Sequence, residues 1–244
     1  MDEIRRPDPR PLYRQVESIL RERIAGGAWT PGRLLPSEPE LADELGVSPG
    51  TVRRALVSLE RAHLIERRQG RGTFVAQQTS EQALEQFFRV RDLDGRPVVP
   101  ETLILSVEPG RATPPEAAAL TVAADAAVLR VRRIRRLGGA VAQVETITLP
   151  AERFPDLDLP LAPARLATEI YVHYRRAHGI IVTGAQEEIA ARGATAEEAA
   201  ALSLPEGGPL LEVTRVAYDA TGRPVERRVT VLNTAVHRYS VGLE

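Results

Sequence analysis

The chain has 244 residues, 43% of them hydrophobic, and a formal net charge of −1, which allows one large domain or two ordinary ones but excludes a global field that attracts nucleic acid or membranes. It contains no cysteine, which excludes disulfides, thiolate catalysis and cysteine-based zinc sites. From the length we expect two domains. No apolar run has the length of a signal peptide or a membrane span, so we expect a cytoplasmic protein without a membrane partner.

The chain begins with two predicted helices. Apolar residues recur at helical spacing over residues 11–24, until Gly26 interrupts the pattern, which predicts a helix of about four turns. Ser37 and Glu40 have the spacing of a capping box, in which each side chain satisfies a free N–H at the start of a helix. This pattern predicts a second, short helix that ends at Gly46.

A third helix and a β-hairpin follow. Ser48 can cap this helix and Pro49 can begin it, because the first helical position needs no N–H donor. The tight turn between the second and third helices is typical of a helix-turn-helix. Burial of the apolar face of the third helix leaves five residues on or beside its outward face: Ser48, Thr51, Arg53, Arg54 and Arg61. The segment HLIERRQGRGTFV then predicts two strands joined by a Gly-Arg-Gly tip, which form a wing.

Three blocks of this region, PLYRQVESILRERIAGGAW, PGRLLPSEPELADELGVSPGTVRRAL and LIERRQGRGTFV, resemble the winged helix-turn-helix of GntR-type bacterial transcription regulators over residues 11–75. The resemblance implies that the third helix enters the major groove of double-stranded operator DNA, that the wing tip reaches the adjacent minor groove, and that a homodimer reads a two-fold site. It implies a nucleoid-associated protein whose DNA-binding residues are Ser48, Gly50, Thr51, Arg53, Arg54, Gln69, Gly70 and Arg71.

Within this set, Arg53 is the candidate for base readout, because its guanidinium can donate to guanine O6 and N7 at once, worth roughly 1 to 3 kcal/mol of discrimination. Ser48 and Thr51, near the positive end of the helix, are candidates for phosphate contacts. The alternatives are that Ser48 is only a helix cap and that Arg54 and Arg61 are ordinary solvated residues.

The sequence departs from the family pattern at two prolines. Pro49 stands where many relatives carry an arginine, and Pro39 stands where some do. The operator sequence therefore cannot be copied from those relatives. Arg67 and Arg68 either flank an edge strand only or, together with Arg71, add phosphate contacts.

The polar segment AQQTSEQALEQ, which starts at Ala76, contains neither glycine nor proline. We interpret residues 76–87 as a linker between a DNA-binding domain at 1–75 and a second domain at 88–244.

The second domain contains an internal repeat. Residues 113–133 and 195–215 share nine of 21 residues at a constant offset of 82. Each copy predicts a short helix, a strand, a turn and a second strand, and the first turn falls at Gly138-Gly139. Between the copies, residues 164–178 predict an amphipathic helix, and a strand over 180–191 follows.

This arrangement, with the blocks RVRRIRRLGGAVAQVETITLP, TEIYVHYRRAHGIIV and LEVTRVAYDATGRPVERRVTVL, resembles the UTRA domain of the HutC subfamily over residues 88–242. The resemblance implies the chorismate-lyase fold, an antiparallel sheet with helices, so that the fold class of the whole chain is α+β. It also implies that the domain dimerises, binds a small-molecule effector and changes how the dimer presents its two DNA-binding modules.

The first hairpin of this domain carries charge on its apolar face. In the strand VLRVRRIRRL the apolar odd positions bracket Arg133 and Arg135, whereas the even face is mostly arginine and should be solvated. A buried charge needs a partner, and the returning strand offers Gln143 and Glu145. A three-residue loop would place Arg133 opposite Glu145, whereas a two-residue Gly138-Gly139 turn would direct Glu145 to the other face.

The UTRA resemblance assigns five residues to an effector pocket: Arg133, Arg135, Glu145, Tyr171 and Glu226. The alternative is that arginine and Glu145 form a purely structural ion pair. In an effector pocket the arginines would hold a phosphate or a carboxylate by forked hydrogen bonds. Relatives often have Ser-x-Tyr at this tyrosine, but this chain has Glu169-Ile170-Tyr171. A carboxylate there would repel phosphate unless Thr168 supplies a hydroxyl, so we expect a small anionic or zwitterionic metabolite, with a carboxylate at least as suitable as a sugar phosphate.

Together the two resemblances imply a metabolite-responsive transcription regulator, and we expect a repressor that its effector releases from the operator. One alternative is a DNA-binding regulator with a vestigial C-terminal pocket. Another is an enzyme, since the C-terminal fold resembles that of a lyase, but the sequence shows no nucleophile with a base, no poised carboxylate pair and no metal cluster. We therefore expect no catalytic residue, cofactor or metal.

Overall fold

A computed structural model describes residues 10–76, 87–159 and 170–242 of the chain. The chain divides into two units, Met1–Gln77 and Gln78–Glu244, and the linker interpreted at 76–87 lies almost entirely outside the described residues. Within these ranges no helix is both long enough and apolar enough to cross a membrane.

The first unit consists of helices α1 (Leu12–Ala25), α2 (Glu38–Leu45) and α3 (Pro49–Arg61) and strands β1 (Ile65–Arg68) and β2 (Gly72–Val75). These elements begin and end close to the predicted positions, because caps and turns fix them locally. Ser37 and Glu40 form the predicted capping box, and α1 and α2 both pack against α3. The antiparallel strands β1 and β2 form the predicted wing. The side chains of α3 that form its buried face are Val52, Ala55, Leu56 and Leu59.

The second unit consists of β3 (Val90–Arg91), β4 (Glu101–Arg111), α4 (Pro114–Leu120), β5 (Ala127–Leu137), β6 (Ala140–Pro150), a 3-10 turn (Ala151–Arg153), α5 (Ile170–His178), β7 (Val182–Gly193), α6 (Ala196–Leu202), β8 (Pro209–Asp219), β9 (Pro224–Leu232) and β10 (Arg238–Tyr239). Six of the strands form an antiparallel sheet in the order β4-β5-β6-β9-β8-β7. This order is symmetric about the central β6–β9 pair, as expected for two copies of one strand-helix-strand-strand unit. Strands β3 and β10 pair separately.

Each repeat is longer than the sequence pattern indicates, because a leading strand belongs to it. Strand β7 was predicted, but β4 was not, since its register shifts between Ile104 and Ser106 and the bulge interrupts the alternation of buried and exposed residues. The predicted helix at 164–178 is present from Ile170 onward, and its first residues lie outside the described ranges.

The two faces of the sheet carry different helices. On one face, α4 packs against β9 and β6, and α6 packs against β6. On the other face, α5 places Ile170 and Tyr174 against Val131 and Ile147 in the larger hydrophobic core. The prediction that the even face of β5 is simply solvated is therefore wrong: this face lies on the side of α4 and α6, and Arg130 is half-buried there beside Glu116.

Candidate functional site

The start of α3 combines a helix cap with exposed hydroxyl groups. Ser48 Oγ accepts a hydrogen bond from the N–H of Thr51 at 3.2 Å and lies 2.9 Å from Thr51 Oγ1. The cap alone therefore explains why a hydroxyl residue stands at position 48. Ser48 and Gly50 are nevertheless exposed and Thr51 is half-exposed, so the same groups remain accessible to a phosphate at the positive end of the helix.

Arg53 projects from α3 and is held by a carboxylate of the preceding helix. Its side chain is 64% exposed, and its Nε donates to Glu38 Oε2 at 2.8 Å. The wing reaches the same carboxylate, because Arg67 Nη2 lies 3.4 Å from Glu38 Oε1. Glu38 thus joins α2, α3 and β1 at the surface. Sequence reasoning missed it, although its place beside Pro39, where some relatives carry an arginine, was a usable signal.

The other residues assigned to DNA contact are also at the surface. The guanidinium of Arg54 lies over the ring of Tyr13 on α1, 4.0 Å from its centroid, and the residue remains exposed. At the wing tip, Gln69, Gly70 and Arg71 are all exposed. Gly70 has φ 68°, a conformation that favours glycine, so the tip can turn tightly.

The β5–β6 hairpin resolves the predicted choice of register in an unforeseen way. Leu137 pairs with Ala140, so the turn has the two residues Gly138 and Gly139, yet Glu145 still lies opposite Arg133. The expectation that a two-residue turn would direct Glu145 to the other face is wrong, because a bulge between the pairs of Arg135 and Arg136 adds one residue to β6 and restores the inward direction.

Glu145 is the centre of a buried ion cluster. It accepts hydrogen bonds from Nε of Arg133 and from Nε of Arg135, the latter at 3.0 Å, and from the Thr230 hydroxyl at 3.0 Å. Burial alone would raise the pKa of Glu145, but the charges of Arg133, Arg135 and the nearby Arg228 hold it well below its usual range. The carboxylate is therefore ionised at neutral pH. The predicted Arg–Glu pair is present, as its structural interpretation requires.

The remaining two predicted pocket residues form a second buried group. Tyr171 and Tyr174 donate to the two carboxylate oxygens of Glu226, at 2.9 and 3.0 Å. Arg228 Nη2 lies 2.6 Å from Glu226 Oε1, and Arg228 also approaches Glu145, at 3.8 Å. Burial raises the pKa of both tyrosines, so their hydroxyls stay protonated and can donate. The five predicted pocket residues thus converge on one side of the sheet.

A cavity opens beside this cluster. Arg135 Nη1 and Gln143 Oε1 are buried and have no hydrogen-bond partner within the described ranges. Of the five predicted pocket residues, Arg135 and Glu145 line the cavity, whereas Arg133, Tyr171 and Glu226 do not. The cavity has room for about one water molecule. Its lining consists of Phe87, Phe88, Arg89, Arg135, Gln143, Glu145, Val213, Arg215, Arg228, Thr230 and Tyr239.

Sequence reasoning missed Arg215, although the repeat could have identified it. Arg215 occupies the position 82 residues after Arg133, is 7% exposed, and donates from Nε to Glu187 at 2.6 Å and from Nη2 to the carbonyl oxygen of Phe87 at 2.6 Å. Tyr239 donates to the same Glu187. In the parts of the chain that are described, no three His, Asp or Glu side chains converge as a metal site would require.

Two family descriptions match this chain. Residues 12–75 match bacterial regulatory proteins of the gntR family, and residues 95–238 match the UTRA domain. The HTH-type transcriptional repressor NagR of Bacillus subtilis is 30% identical over 93% of this chain and 93% of its own. The histidine utilization repressor of Pseudomonas aeruginosa is 42% identical over 34% of each chain. The crystal structure of PhnF from Mycobacterium smegmatis superposes with a TM-score of 0.55 at 25% identity, covering 94% of this chain and 99% of that one.

Proposed function

Because the chain belongs to the GntR family of bacterial transcription regulators, in its HutC subfamily with a UTRA domain, we propose that it is a homodimeric repressor that a small anionic or zwitterionic effector releases from a two-fold operator. The observation that carries the effector part of this proposal is the cavity at Arg135 and Gln143. A buried guanidinium N–H and a buried amide oxygen without partners are costly to maintain, and a ligand with an anionic group and a hydrogen-bond donor would satisfy both.

The surface of α3 and the wing supports the DNA-binding part. Arg53 and Arg71 are exposed on two elements that, in a winged helix-turn-helix, lie in adjacent grooves. Glu38 Oε2 lies 2.8 Å from both Nε and Nη2 of Arg53, which leaves the outer edge of the guanidinium, with Nη1 and the second N–H of Nη2, for guanine O6 and N7. Ser48 and Thr51 remain available for backbone phosphates. The relatives named as repressors support the sign of regulation.

One observation favours a second candidate, a DNA-binding regulator with a vestigial pocket. The cavity has room for about one water molecule, and Glu145 already occupies part of the hydrogen-bonding capacity of Arg133 and Arg135. On this alternative the ion cluster only stabilises the sheet, and no metabolite binds. Catalysis has no comparable support among the described side chains.

The proposal is tested in two steps with the full-length protein. Selection from random double-stranded DNA should enrich a sequence with two-fold symmetry, which identifies the DNA site that the protein recognises. A thermal-shift screen with amino acids, small organic acids and sugar phosphates should then give compounds that raise the melting temperature and weaken binding to the selected site. The variant Arg135→Gln should still bind the DNA but lose the thermal shift. The absence of any stabilising compound would favour the vestigial pocket.

A further inference from the structure

The cavity at Arg135 has two kinds of wall. Most of its lining comes from strands of the central sheet, where ladders of backbone hydrogen bonds fix each strand to its neighbours. The rest comes from Tyr239 on β10 and from the three residues that precede the short strand β3, namely Phe87, Phe88 and Arg89. These three are the first described residues after the segment 77–86, through which the chain runs from the DNA-binding unit. One wall of the cavity is therefore formed by residues that directly follow the connection to the DNA-binding unit.

The arginines of the cavity hold this wall. Arg215 Nη2 donates to the carbonyl oxygen of Phe87 at 2.6 Å, and the guanidinium of Arg135 lies 4.8 Å from the ring centroid of Phe88. The ring of Phe87 packs edge-on against Tyr171, with 4.9 Å between centroids. Among the described residues, one backbone hydrogen bond adds to these, from the N–H of Ser240 to the carbonyl oxygen of Arg89 at 2.8 Å. The segment Phe87–Arg89 is thus attached by cationic side chains that a ligand would use and by the packing of its two partly buried phenylalanine rings, Phe87 against the larger core and Phe88 against the cluster that contains Leu137 and Leu232.

A metabolite cannot enter this cavity without moving a wall, because the present space holds about one water molecule. Displacing a strand of the sheet would break several ladder hydrogen bonds at once. Displacing the three residues Phe87–Arg89 would break one hydrogen bond to Arg215, one to Ser240 and the ring contacts, and would expose two phenylalanine rings that are already only partly buried. An anionic ligand would replace the contacts with Arg135 and Arg215 by stronger, charge-assisted ones. The segment is therefore the wall that a ligand moves at the lower cost.

We propose that the effector and the segment Phe87–Arg89 compete for Arg135 and Arg215. Effector binding then releases this segment, through which the second unit is connected to the DNA-binding unit. This inference rests on the proposed function, since it specifies how occupancy of that same cavity is communicated. A ligand shifts an equilibrium only through different affinities for the two states. Here that difference has a direct cause, because the ligand site is complete only when the segment has left it.

The test uses full-length Phe88→Ala, which removes the ring from Arg135. Phe88→Leu keeps apolar bulk without an aromatic face, and Val99→Ala, at a residue 81% exposed in the same unit, is the matched control. The measurements are amide hydrogen exchange of the peptide that begins at Phe87, affinity for the DNA site selected by the wild type, and binding of the small organic acids and sugar phosphates of the screen.

Phe88→Ala should exchange faster in this peptide without ligand, bind the selected DNA more weakly, and bind the active compound about tenfold more tightly, as expected for loss of a competing cation–π contact. Phe88→Leu should fall between Phe88→Ala and the wild type, and Val99→Ala should match the wild type. If Phe88→Ala had the same amide exchange, DNA affinity and compound affinity as the wild type, the inference would be overturned, while the proposed function would stay intact. A wild type that selects no DNA site or binds no compound would instead contradict the proposed function, and exchange of the peptide would still decide whether Phe88 holds the segment.

Discussion

Glu116 and Glu198 occupy equivalent positions at the starts of α4 and α6, and each accepts two hydrogen bonds from an arginine that reaches it from a different strand. Arg130 on β5 donates to Glu116 at 3.1 and 2.7 Å, whereas Arg192 on β7 donates to Glu198 at 2.7 and 2.6 Å. The same forked ion pair is thus built twice from different sequence positions.

The arginine stands at a different position in each repeat for a steric reason. Position 110, equivalent to Arg192 at the offset of 82, is glycine, and a Cβ at Gly110 would lie 2.3 Å from Arg130 Nη1. In the second repeat the position equivalent to Arg130 is Glu212, which accepts from Arg192 Nε at 2.7 Å. Each repeat therefore has room for one arginine over its helix start, and the partner position is a small or an acidic residue.

Glu116→Gln should lower the free energy of unfolding at pH 7 by roughly 3 kcal/mol. Burial alone would raise the pKa of Glu116, but hydrogen bonds from Arg130, Thr113 and Thr148 lower it from 4.5 to about 2. Since the folded-state pKa is depressed, the contribution is complete above pH 4.5 and is lost as the pH falls toward 2. Urea unfolding of both proteins across this range measures the difference. The exposed Glu152→Gln is the control, and a difference that did not shrink in acid would contradict this account.

Glu145→Gln should destabilise the second unit by roughly 3 to 5 kcal/mol, because it leaves two buried guanidinium groups without their shared counter-charge. The matched control is Glu197→Gln, which removes the carboxylate of an exposed pair with Arg132 and should cost about 1 kcal/mol or less. Chemical denaturation of the two variants and the wild type gives both values. If both variants lost the same free energy of unfolding, burial would not be the reason why the Glu145 cluster contributes to stability.

Arg53→Ala should reduce discrimination between the selected DNA site and a site with one changed guanine by roughly 1 to 3 kcal/mol. The fold should remain intact, since the side chain is 64% exposed. Fluorescence anisotropy with the two duplexes measures the effect, and circular dichroism checks the fold. Arg61→Ala, at an exposed residue of the last turn of α3, is the control. Retained discrimination in Arg53→Ala would exclude this residue from base readout.

Glu38→Gln should raise the affinity of the protein for DNA of any sequence. The change removes a negative charge that lies 2.8 Å from Nε of Arg53 and would face phosphates in a complex, so binding to unrelated DNA should strengthen at low salt. Discrimination between DNA sites should fall at the same time, because Arg53 loses the partner that orients its guanidinium. Titrations with selected and scrambled duplexes separate the two effects. Unchanged discrimination would show that the ion pair does not position Arg53.

The sequence by itself determined the elements whose causes are local. The capping box at Ser37, the start of α3 at Ser48, and the wing depend on residues a few positions apart, and the offset of 82 made the repeat visible without any structure. The inward direction of Arg133 and Arg135 also followed from the alternation of β5, because two arginines within an apolar stripe must share the buried face.

Only the tertiary structure decided what those arginines contact. Glu145 faces inward because of a bulge in β6, which the turn residues do not encode. Arg215 and Arg228 join the cluster because β8 and β9 pair beside β6 in the symmetric sheet, and Phe88 reaches Arg135 from the residues just before β3. These contacts join residues tens of positions apart, and local periodicity cannot specify such pairs, since it fixes the face a residue occupies but not the strand that lies next to it.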